Sequence, residues 1–292
     1  MRLPFFKYHG LGNDFVVIDR RRFAHDLTAE QAKAICDRHF GVGADGVLGI
    51  LPADDVEGAD IRMHVFNADG SEAEMCGNGI RCVAKHAIDA GLVQGDSVRI
   101  ATGAGLLRCD VQRGPDGTVA TVTVDMGRPE LERQRIPAAG SGRMVAEAVR
   151  VGDRTFAVTA VSMGNPHAVI FGEGIADRDF ASRYGPLLER NVELFPNRTN
   201  VEFATLRDGG IDVVVWERGC GITLACGTGA CAAVAAGIRR GLLDSPVRVQ
   251  TRGGTLTVAW NGEQLRMTGP AQSVYTGQVD IDKLVFSMGL NR

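Results

Sequence analysis

The sequence predicts an α+β protein built from two similar halves, and three observations support this prediction. The tetrapeptide CGNG that begins at Cys76 is matched by CGTG that begins at Cys226, 150 residues later. Each tetrapeptide opens an apolar segment with the spacing of a helix. Short β-branched segments bounded by turn-forming residues surround both predicted helices. Strands around one helix, repeated along the chain, indicate two structurally related domains.

The repeat extends well beyond the two tetrapeptides. At the same offset, Gly91 aligns with Gly241, and the segment VFN that ends at Asn67 aligns with VWE that ends at Glu217. The dipeptide GN occurs at position 12 and again at position 164, each time shortly before Val-Ile. These matches occur in one order, and their period is far too long for a solenoid repeat.

The first predicted helix spans residues 28–40. Thr28 and Gln31 have the spacing of a capping box, and Gly41 follows the last residue. Strands are predicted from β-branched residues between turn formers at 15–19, 61–66, 98–101, 119–124, 157–161, 168–171, 201–205, 211–216, 247–251 and 255–260.

The two repeated helices differ in polarity. The first has apolar residues at i, i+3, i+4, i+7 and i+8 counted from Ile80. The second is alanine-rich and has no charge before Arg239, which predicts that sheet encloses it. Gly91 and Gly241 are placed to end the two helices.

The domain boundary is predicted at the Gly-Arg-Pro tripeptide of 127–129. This assigns residues 1–127 to the first domain and residues 128–276 to the second. A chain of 292 residues is long enough for two domains that each have their own core.

Composition excludes several classes of protein. A net charge of −3 without a basic run argues against nucleic-acid binding. No apolar run reaches the length needed to cross a membrane, and the N-terminus lacks the apolar core of a signal peptide. The seven cysteines form neither a secreted disulfide framework nor the C-x2-C pairs of a structural metal site. We therefore expect a cytoplasmic protein with no metal.

The chemistry is expected from the placement of Cys76 and Cys226 before glycine turns at helix starts. Backbone N–H groups there carry partial positive charge, which should lower a thiol pKa from about 8.5 toward neutrality. The same groups offer a cradle for a carboxylate. If the two helix starts face each other, one thiolate can remove a proton from a stereocentre while the opposite thiol delivers one. The result is inversion without a cofactor.

Other polar and thiol residues have two interpretations. Cys36, Cys82, Cys109 and Cys231 are expected to be small buried hydrophobes, and Cys220 to lie in a polar loop. Asn13, Asn67, Asn165 and Asn200 lie near predicted strand ends, as turn residues or as ligand contacts. The pair Glu217-Arg218 is either a surface ion pair or functional. His167 either tunes a thiol or makes a structural hydrogen bond.

Six motifs together resemble the diaminopimelate epimerase family. They are HGLGNDF at 9–15, FNADGS at 66–71, CGNGIRC at 76–82, MGNPH at 163–167, ERG at 217–219 and ACGTGA at 225–230. The resemblance spans nearly the whole chain. It implies interconversion of LL- and meso-2,6-diaminopimelate without pyridoxal phosphate, in lysine and peptidoglycan precursor synthesis. It also implies two pseudo-symmetric domains, each a β-barrel-like sheet wrapped around a central helix, with the active site in the interdomain cleft.

The resemblance implies roles for individual positions. Cys76 and Cys226 match the catalytic pair, and His167 and Glu217 match positions that influence its chemistry. The carboxylate cradle would be formed by Gly77, Asn78, Gly227 and Thr228. The rest of the substrate would be held by Asn13, Asn67, Asn165, Asn200, Glu217 and Arg218. Tyr275 matches a homodimer contact, and segment 277–292 would return to the first domain.

Two positions depart from the family pattern. Gly46 lies where some members carry a substrate-contacting Gln, so that it can offer only its backbone. Ile222 replaces a Glu that is common in the family, close before Cys226.

Three other functions predict different sequence features. A proline-racemase-like enzyme would carry His where this chain has Asn78 and would lack the ERG block. A catalytically dead binding module would have lost one of the two thiols, and neither is missing. A thiol redox protein would need cysteines able to form a disulfide, which Cys76 and Cys226 could do if they face each other.

Overall fold

The computed structural model describes residues 2–22 and 27–289, and only the backbone of 286–289. The chain divides into unit 1, Met1–Val124 with Gly269–Arg292, and unit 2, Asp125–Thr268. The sequence placed the second junction at 276/277, inside the strand Gln272–Asp280. This strand pairs from end to end with Arg2–Gly10, so all of it lies in unit 1.

The secondary structure consists of short strands and a few helices. The strands are β1 (Arg2–Gly10), β2 (Asn13–Asp19), β3 (Gly46–Leu51), β4 (Ile61–Asn67), β5 (Glu72–Ala73), β6 (Ser97–Thr102), β7 (Gly105–Arg113), β8 (Val119–Asp125), β9 (Glu147–Val151), β10 (Arg154–Ser162), β11 (Pro166–Phe171), β12 (Asn200–Arg207), β13 (Gly210–Glu217), β14 (Gly221–Ile222), β15 (Val247–Thr251), β16 (Gly254–Trp260), β17 (Leu265–Pro270) and β18 (Gln272–Asp280). The helices are α1 (Ala29–Cys36), α2 (Gly77–Asp89), α3 (Arg178–Glu189), α4 (Gly227–Arg239) and α5 (Ile281–Gly289), with a 3₁₀ turn at Arg133–Arg135.

The two units share one strand order. In unit 1 the order is β18-β1-β2-β3-β4-β6-β7-β8, with β5 added to β4. In unit 2 it is β9-β10-β11-β12-β13-β15-β16-β17, with β14 added to β13. The parallel pairs also correspond, since β2/β3 and β4/β6 in unit 1 match β11/β12 and β13/β15 in unit 2. The predicted internal repeat is confirmed at the level of topology.

One buried helix occupies the middle of each sheet. Helix α2 contacts β1, β2, β3, β4, β6 and β7, and its residues 77–88 are buried. Helix α4 contacts β10, β11, β12, β13 and β16, and its residues 229–237 are buried. Because strands distant from each other in the sheet contact the same helix, the sheet wraps around it. The prediction of an α+β fold with a sheet around a central helix is confirmed.

A further helix packs on the strands of each unit. In unit 1, Ile35 of α1 belongs to a buried cluster with Leu3 and Phe66. In unit 2, Tyr184 of α3 belongs to a cluster with Phe156 and Phe203, and its ring meets that of Phe156 edge to face at 5.2 Å. Within the described residues, no helix is long and apolar enough to cross a bilayer.

Helix α1 begins as predicted but ends four residues early. Thr28 forms the full capping box with Gln31. Asp37 then leaves helical geometry at ψ 124°, and its carboxylate accepts the N–H groups of His39 and Phe40 at 2.8 Å. The prediction of a helix to residue 40 is therefore wrong, because this side chain forms a turn that competes with the helix.

The predicted ends of α2 and α4 are confirmed. Gly91 and Gly241 each follow the helix with φ of +68°, a left-handed conformation that glycine adopts without strain.

Candidate functional site

Cys76 and Cys226 occupy the same position, the N-cap, in their respective units. Both have extended backbones, with φ and ψ of −136° and 114° at Cys76 and of −117° and 114° at Cys226. Each sulfur accepts the N–H of the glycine three residues later at 3.4 Å. An N-cap position normally carries an oxygen side chain, so a cysteine here places a reactive sulfur at the positive end of a helix.

The second glycine of each tetrapeptide allows the helix start to lie close to a strand. A Cβ on Gly79 would lie 3.0 Å from Leu48 of β3. A Cβ on Gly229 would lie 2.9 Å from the carboxylate of Glu202 on β12. A larger residue would displace the helix start from the strand in both units.

In unit 1 the predicted asparagines lie at the same sheet edge. Gly46 begins β3 and is paired both with Phe15 on β2 and with Asn67 at the end of β4. Asn13 lies two residues before Phe15, and its Oδ1 atom is buried and has no hydrogen-bond partner among the described residues. Asn67 donates to Ser71 Oγ at 3.0 Å. Carbonyl oxygens and amide groups thus gather near the start of α2.

Asn78 is the third residue of the first tetrapeptide, and a hydrogen bond from Arg81 holds its side chain. The fully buried guanidinium of Arg81 donates to Asn78 Oδ1 at 3.0 Å and to the carbonyl of Gly77 at 2.9 Å. It also donates to the carbonyl of Pro270 at 3.2 Å. This places a permanent positive charge within the first turn of α2.

In unit 2 the equivalent edge carries Asn165, Asn200 and Glu217. Asn200 begins β12 beside His167 of β11, and Glu217 ends β13. Asn200 donates to the carbonyl of Pro166 at 2.9 Å and accepts the N–H of Arg218 at 2.8 Å. Its amide thereby joins the first residue of β11 to the loop after β13. The Arg218 side chain is anchored through Asn197, whose carbonyl lies 3.0 Å from Nη1.

A chain of hydrogen bonds leads to the Cys226 sulfur. Glu202 Oε1 lies 2.7 Å from His167 Nδ1, and His167 Nε2 lies 2.8 Å from Asn165 Oδ1. The Asn165 amide nitrogen lies 3.5 Å from Thr228 Oγ1, which is 3.4 Å from Cys226 Sγ. Five side chains, from β11 and the residue before it, from β12 and from the start of α4, are therefore connected.

The pKa of the Cys226 thiol is raised well above its ordinary value. Burial is the main cause, and the carboxyls of Glu217 and Glu202 add to it, against the hydrogen bonds from Thr228 and Gly229. The expected lowering by the helix start is therefore wrong for this cysteine, because burial of the thiol outweighs the N–H groups. Burial therefore favours the thiol form of Cys226 over the thiolate.

Glu217 is likewise shifted toward its protonated form. Burial raises the pKa of this carboxyl above its usual range, although hydrogen bonds from Thr223 and Cys226 and the nearby imidazole of His167 act in the opposite direction. Thr223 Oγ1 lies 2.5 Å from Glu217 Oε1. Burial therefore favours the protonated forms of both Cys226 and Glu217.

The remaining predicted positions lie in well-defined surroundings. A Cβ on Gly46 would lie 2.6 Å from the carbonyl oxygen of Phe66, so this strand leaves no room for the Gln of other members. Ile222 pairs with Trp216 and packs on the unit 2 core. Tyr275 of β18 is 46% exposed, and its ring meets Phe5 edge to face at 5.9 Å.

The other cysteines have the predicted environments. Those predicted to be small core residues, Cys36, Cys82, Cys109 and Cys231, are buried. Cys220 is exposed. Within the described residues, no group of three His, Cys, Asp or Glu side chains is arranged to hold a metal ion.

Comparison with known proteins identifies the family. The sequence model of the diaminopimelate epimerase family matches residues 5–132 and 159–274. A diaminopimelate epimerase of Desulforudis audaxviator is 49% identical over 283 residues, which is 94% of this chain and 99% of that protein. The chain belongs to the diaminopimelate epimerase family. The diaminopimelate epimerase of an Azoarcus species is also 49% identical, and the match covers 96% of this chain and all of that protein.

Two solved structures share the fold of this chain. A hydroxyproline epimerase of Agrobacterium vitis superimposes with a TM-score of 0.71 at 18% identity, covering 95% of this chain and 91% of that one. A PhzF-family phenazine biosynthesis protein of Bacillus anthracis has a TM-score of 0.69 at 17% identity, covering 96% and 99%. At these identities the likeness concerns the fold alone.

Two buried residues of the candidate site were missed by sequence reasoning. Glu202 and Arg81 lie outside the pattern of polar residues at strand ends and glycine turns. The available signal was a charged residue inside an otherwise apolar segment, VEFATL for Glu202 and GIRCVA for Arg81. Charged residues are rarely buried without a partner, so such a position indicates a specific contact.

Proposed function

We propose that this chain is a diaminopimelate epimerase that interconverts LL- and meso-2,6-diaminopimelate by two-base thiol chemistry, without a cofactor. The observation that carries the proposal is the equivalent placement of Cys76 and Cys226 as helix N-caps in two units of one topology. Relatives named diaminopimelate epimerase are 49% identical over almost the whole chain, which supports this substrate.

The reacting end of the substrate is an α-carbon that carries a carboxylate, an ammonium group and one hydrogen. In the proposal, the first turns of α2 and α4 bind this carboxylate through Gly77, Asn78, Gly227 and Thr228. When the α-proton leaves, negative charge spreads onto the carboxylate oxygens. Backbone N–H groups already aimed at those oxygens stabilise the charge without rearrangement.

In each turnover, one thiol group takes a proton from the substrate and the other donates a proton to it. A Cys76 thiolate takes the α-proton and becomes a thiol, while the carbon accepts the proton of the Cys226 thiol on its other face. Cys226 is left as the thiolate, so that one C–H bond breaks, one forms and the total charge is unchanged. The raised pKa of Cys226 supports its role as the acid in this direction. The reverse direction uses the opposite roles, and the coupled pair titrates as a unit.

The distal amino-acid end of the substrate accounts for the remaining polar positions. The unpartnered, buried Oδ1 of Asn13 suits an ammonium group, and the exposed guanidinium of Arg218 suits a carboxylate. Asn67, Asn165, Asn200, Glu217 and the backbone of Gly46 complete the proposed set. His167 and Glu217 tune the chemistry of Cys226.

Assembly and location form the last part of the proposal. The exposed ring of Tyr275 on β18 supports a homodimer contact at this strand. A product that serves as a precursor of lysine and peptidoglycan implies a cytoplasmic enzyme. The scattered set of seven cysteines, which lacks the pattern of a secreted disulfide framework, agrees with a reducing compartment.

Proton exchange with solvent tests the proposal directly. The purified protein is incubated with LL-diaminopimelate in deuterated water without pyridoxal phosphate, and the products are followed by NMR. Early in the reaction, deuterium should enter at one α-carbon of each product molecule. L-proline serves as a control substrate and should remain unlabelled. Absence of both epimerisation and labelling with active-site thiols intact would sink the assignment.

A further inference from the structure

The two units differ at one buried layer beside the catalytic cysteines. Leu48 on β3 pairs with Val17 and Val65, and Glu202 on β12 pairs with Val169 and Val215, which are the equivalent positions. By the same register, Phe15 in unit 1 corresponds to His167 in unit 2. Unit 1 thus has two apolar side chains where unit 2 has an ionisable pair.

The ionisable pair is completely enclosed. The side chains of Glu202 and His167 are 0% exposed, and their closest atoms are 2.7 Å apart. Glu202 Oε1 also lies under the first turn of α4, where it is 2.9 Å from the position that a Cβ on Gly229 would take. The apolar alternative in unit 1 shows that the fold itself does not require a charged pair at this place.

The hydrogen bonds restrict where the protons of the His167–Glu202 pair lie. Asn165 Oδ1 can only accept, so His167 Nε2 must carry a hydrogen to make its 2.8 Å bond. One further proton is shared between His167 Nδ1 and Glu202 Oε1. Glu202 Oε2 is buried and has no partner within the described residues. A carboxylate would leave charge on that isolated atom, whereas a protonated acid leaves only a carbonyl oxygen.

We propose that Glu202 is a positioning residue that acts as a neutral acid, donating its O–H to His167 Nδ1 and thereby keeping His167 in the Nε2–H tautomer. That tautomer holds the carbonyl oxygen of Asn165, so that the amide N–H of Asn165 faces Thr228. Thr228 in turn lies against the Cys226 sulfur. The inference rests on the proposed function, because it assigns a role within the same site.

The surrounding charges are consistent with a neutral acid. The titratable groups that face the pair are Glu217 at the end of β13 and Cys226 at the start of α4. A carboxylate at Glu202 would be repelled whenever Glu217 or Cys226 ionises, which favours the neutral acid. Burial, together with Glu217, raises the pKa of Glu202 despite the neighbouring imidazole.

Two substitutions separate a neutral donor from a carboxylate. Glu202→Gln keeps the shape and an N–H donor toward His167 Nδ1, and should retain kcat/KM within about threefold of the wild type. Glu202→Leu copies the residue of unit 1, removes the donor and should lower kcat/KM by about tenfold or more. The double variant His167→Phe/Glu202→Leu copies unit 1 fully and controls for folding of an apolar layer.

Histidine NMR gives a readout that does not depend on turnover. With ¹⁵N-histidine, the His167 signal is assigned by its loss in His167→Phe. It should report a neutral ring with Nε2–H in the wild type and in Glu202→Gln, and a mixture of tautomers in Glu202→Leu. An imidazolium in the wild type, or equal kinetic loss in Gln and Leu variants, would overturn the proposal. Wild-type kinetics in the Leu variant would also overturn it.

The two proposals fail in different ways. If the wild type does not epimerise diaminopimelate, the proposed function fails, while the tautomer of His167 still tests the role of Glu202. If the wild type is active and the His167 signal does not change between the wild type and Glu202→Leu, only the role of Glu202 fails.

Discussion

The carboxylate of Glu189 accepts the indole N–H of Trp216 at 2.9 Å, which joins the end of α3 to the end of β13. Its other oxygen accepts the backbone N–H of Gly219 and the Arg198 guanidinium, each at 3.0 Å. Trp216 precedes the Glu217-Arg218 pair and Gly219 follows it. One buried carboxylate therefore fastens both ends of a loop that contains two proposed substrate-binding residues.

Replacement of Glu189 by alanine should lower the free energy of unfolding by about 2 kcal/mol, because it removes the acceptor of a partly buried indole N–H and of a backbone N–H. Urea denaturation measures this change. Glu193→Ala, at an exposed position close by, should stay within about 0.5 kcal/mol of the wild type. Equal stability of the two variants would show that the loop does not depend on Glu189.

The same region shows where sequence patterns fail as predictors of the fold. Helix α3 contains Gly185 and Pro186, which read as helix breakers, and it was not predicted. A Cβ on Gly185 would lie 2.6 Å from Trp216, so the glycine allows a close contact that no local pattern reveals.

Strand β3 was missed for another reason. Five of its six residues are buried, as expected for a strand with a parallel neighbour, so it shows no alternation.

The candidate site divides in the same way. Cys76 and Cys226 could be found because capping a helix with a sulfur before Gly-x-Gly is a local pattern, and the chain contains it twice. Glu202 and His167 are 35 residues apart and meet only through the parallel register of β11 and β12. No motif encodes that register. The prediction of a lowered thiol pKa was wrong for Cys226 for the same reason, because the burial of this residue depends on tertiary packing.

Gly46 provides a steric prediction. Gly46→Gln restores the side chain found in some family members, but its Cβ would lie 2.6 Å from the carbonyl oxygen of Phe66. A backbone atom inside a paired strand cannot move aside easily, so the substitution should destabilise the protein by about 2 kcal/mol. Thermal or urea unfolding measures the effect. Gly114→Ala is the control, since its Cβ would meet nothing closer than the side chain of Asp116 at 3.2 Å. A Gly46→Gln protein as stable as this control would contradict the steric argument.

Asp14, next to Asn13, should make stability depend on pH in the acid range. Burial alone would raise the pKa of Asp14, but hydrogen bonds and charges from Arg38 and Lys7 lower it to about 2. Since this is below the unfolded value of about 3.9, the carboxylate stabilises the fold by about 2 kcal/mol above pH 4. That contribution is lost as the pH falls from about 4 to 2.

Urea unfolding of the wild type and Asp14→Asn at several pH values tests this dependence. The difference between the two proteins should be largest at pH 7 and should shrink below pH 4. Asp96→Asn removes a carboxylate from an exposed pair with Arg113 and should change stability little at any of these pH values. A difference for Asp14→Asn that stays constant with pH would refute the assignment.

The cysteine pair gives the prediction with the largest effect. Cys76→Ala and Cys226→Ala each remove one of two groups that must carry a proton in the same turnover, so each should lower kcat about a thousandfold or more. The matched control is Cys109→Ala, whose thiol is buried in β7 with a pKa raised by burial to about 12. This variant should lose stability but keep kcat within about threefold.

Because deprotonation and reprotonation need separate sulfurs, a single-alanine variant can still exchange the α-proton with solvent on one face without inverting the centre. Deuterium uptake without epimerisation in one variant would therefore identify the remaining thiol as the base for that isomer, whereas near-normal epimerisation in either variant would exclude the two-thiol mechanism.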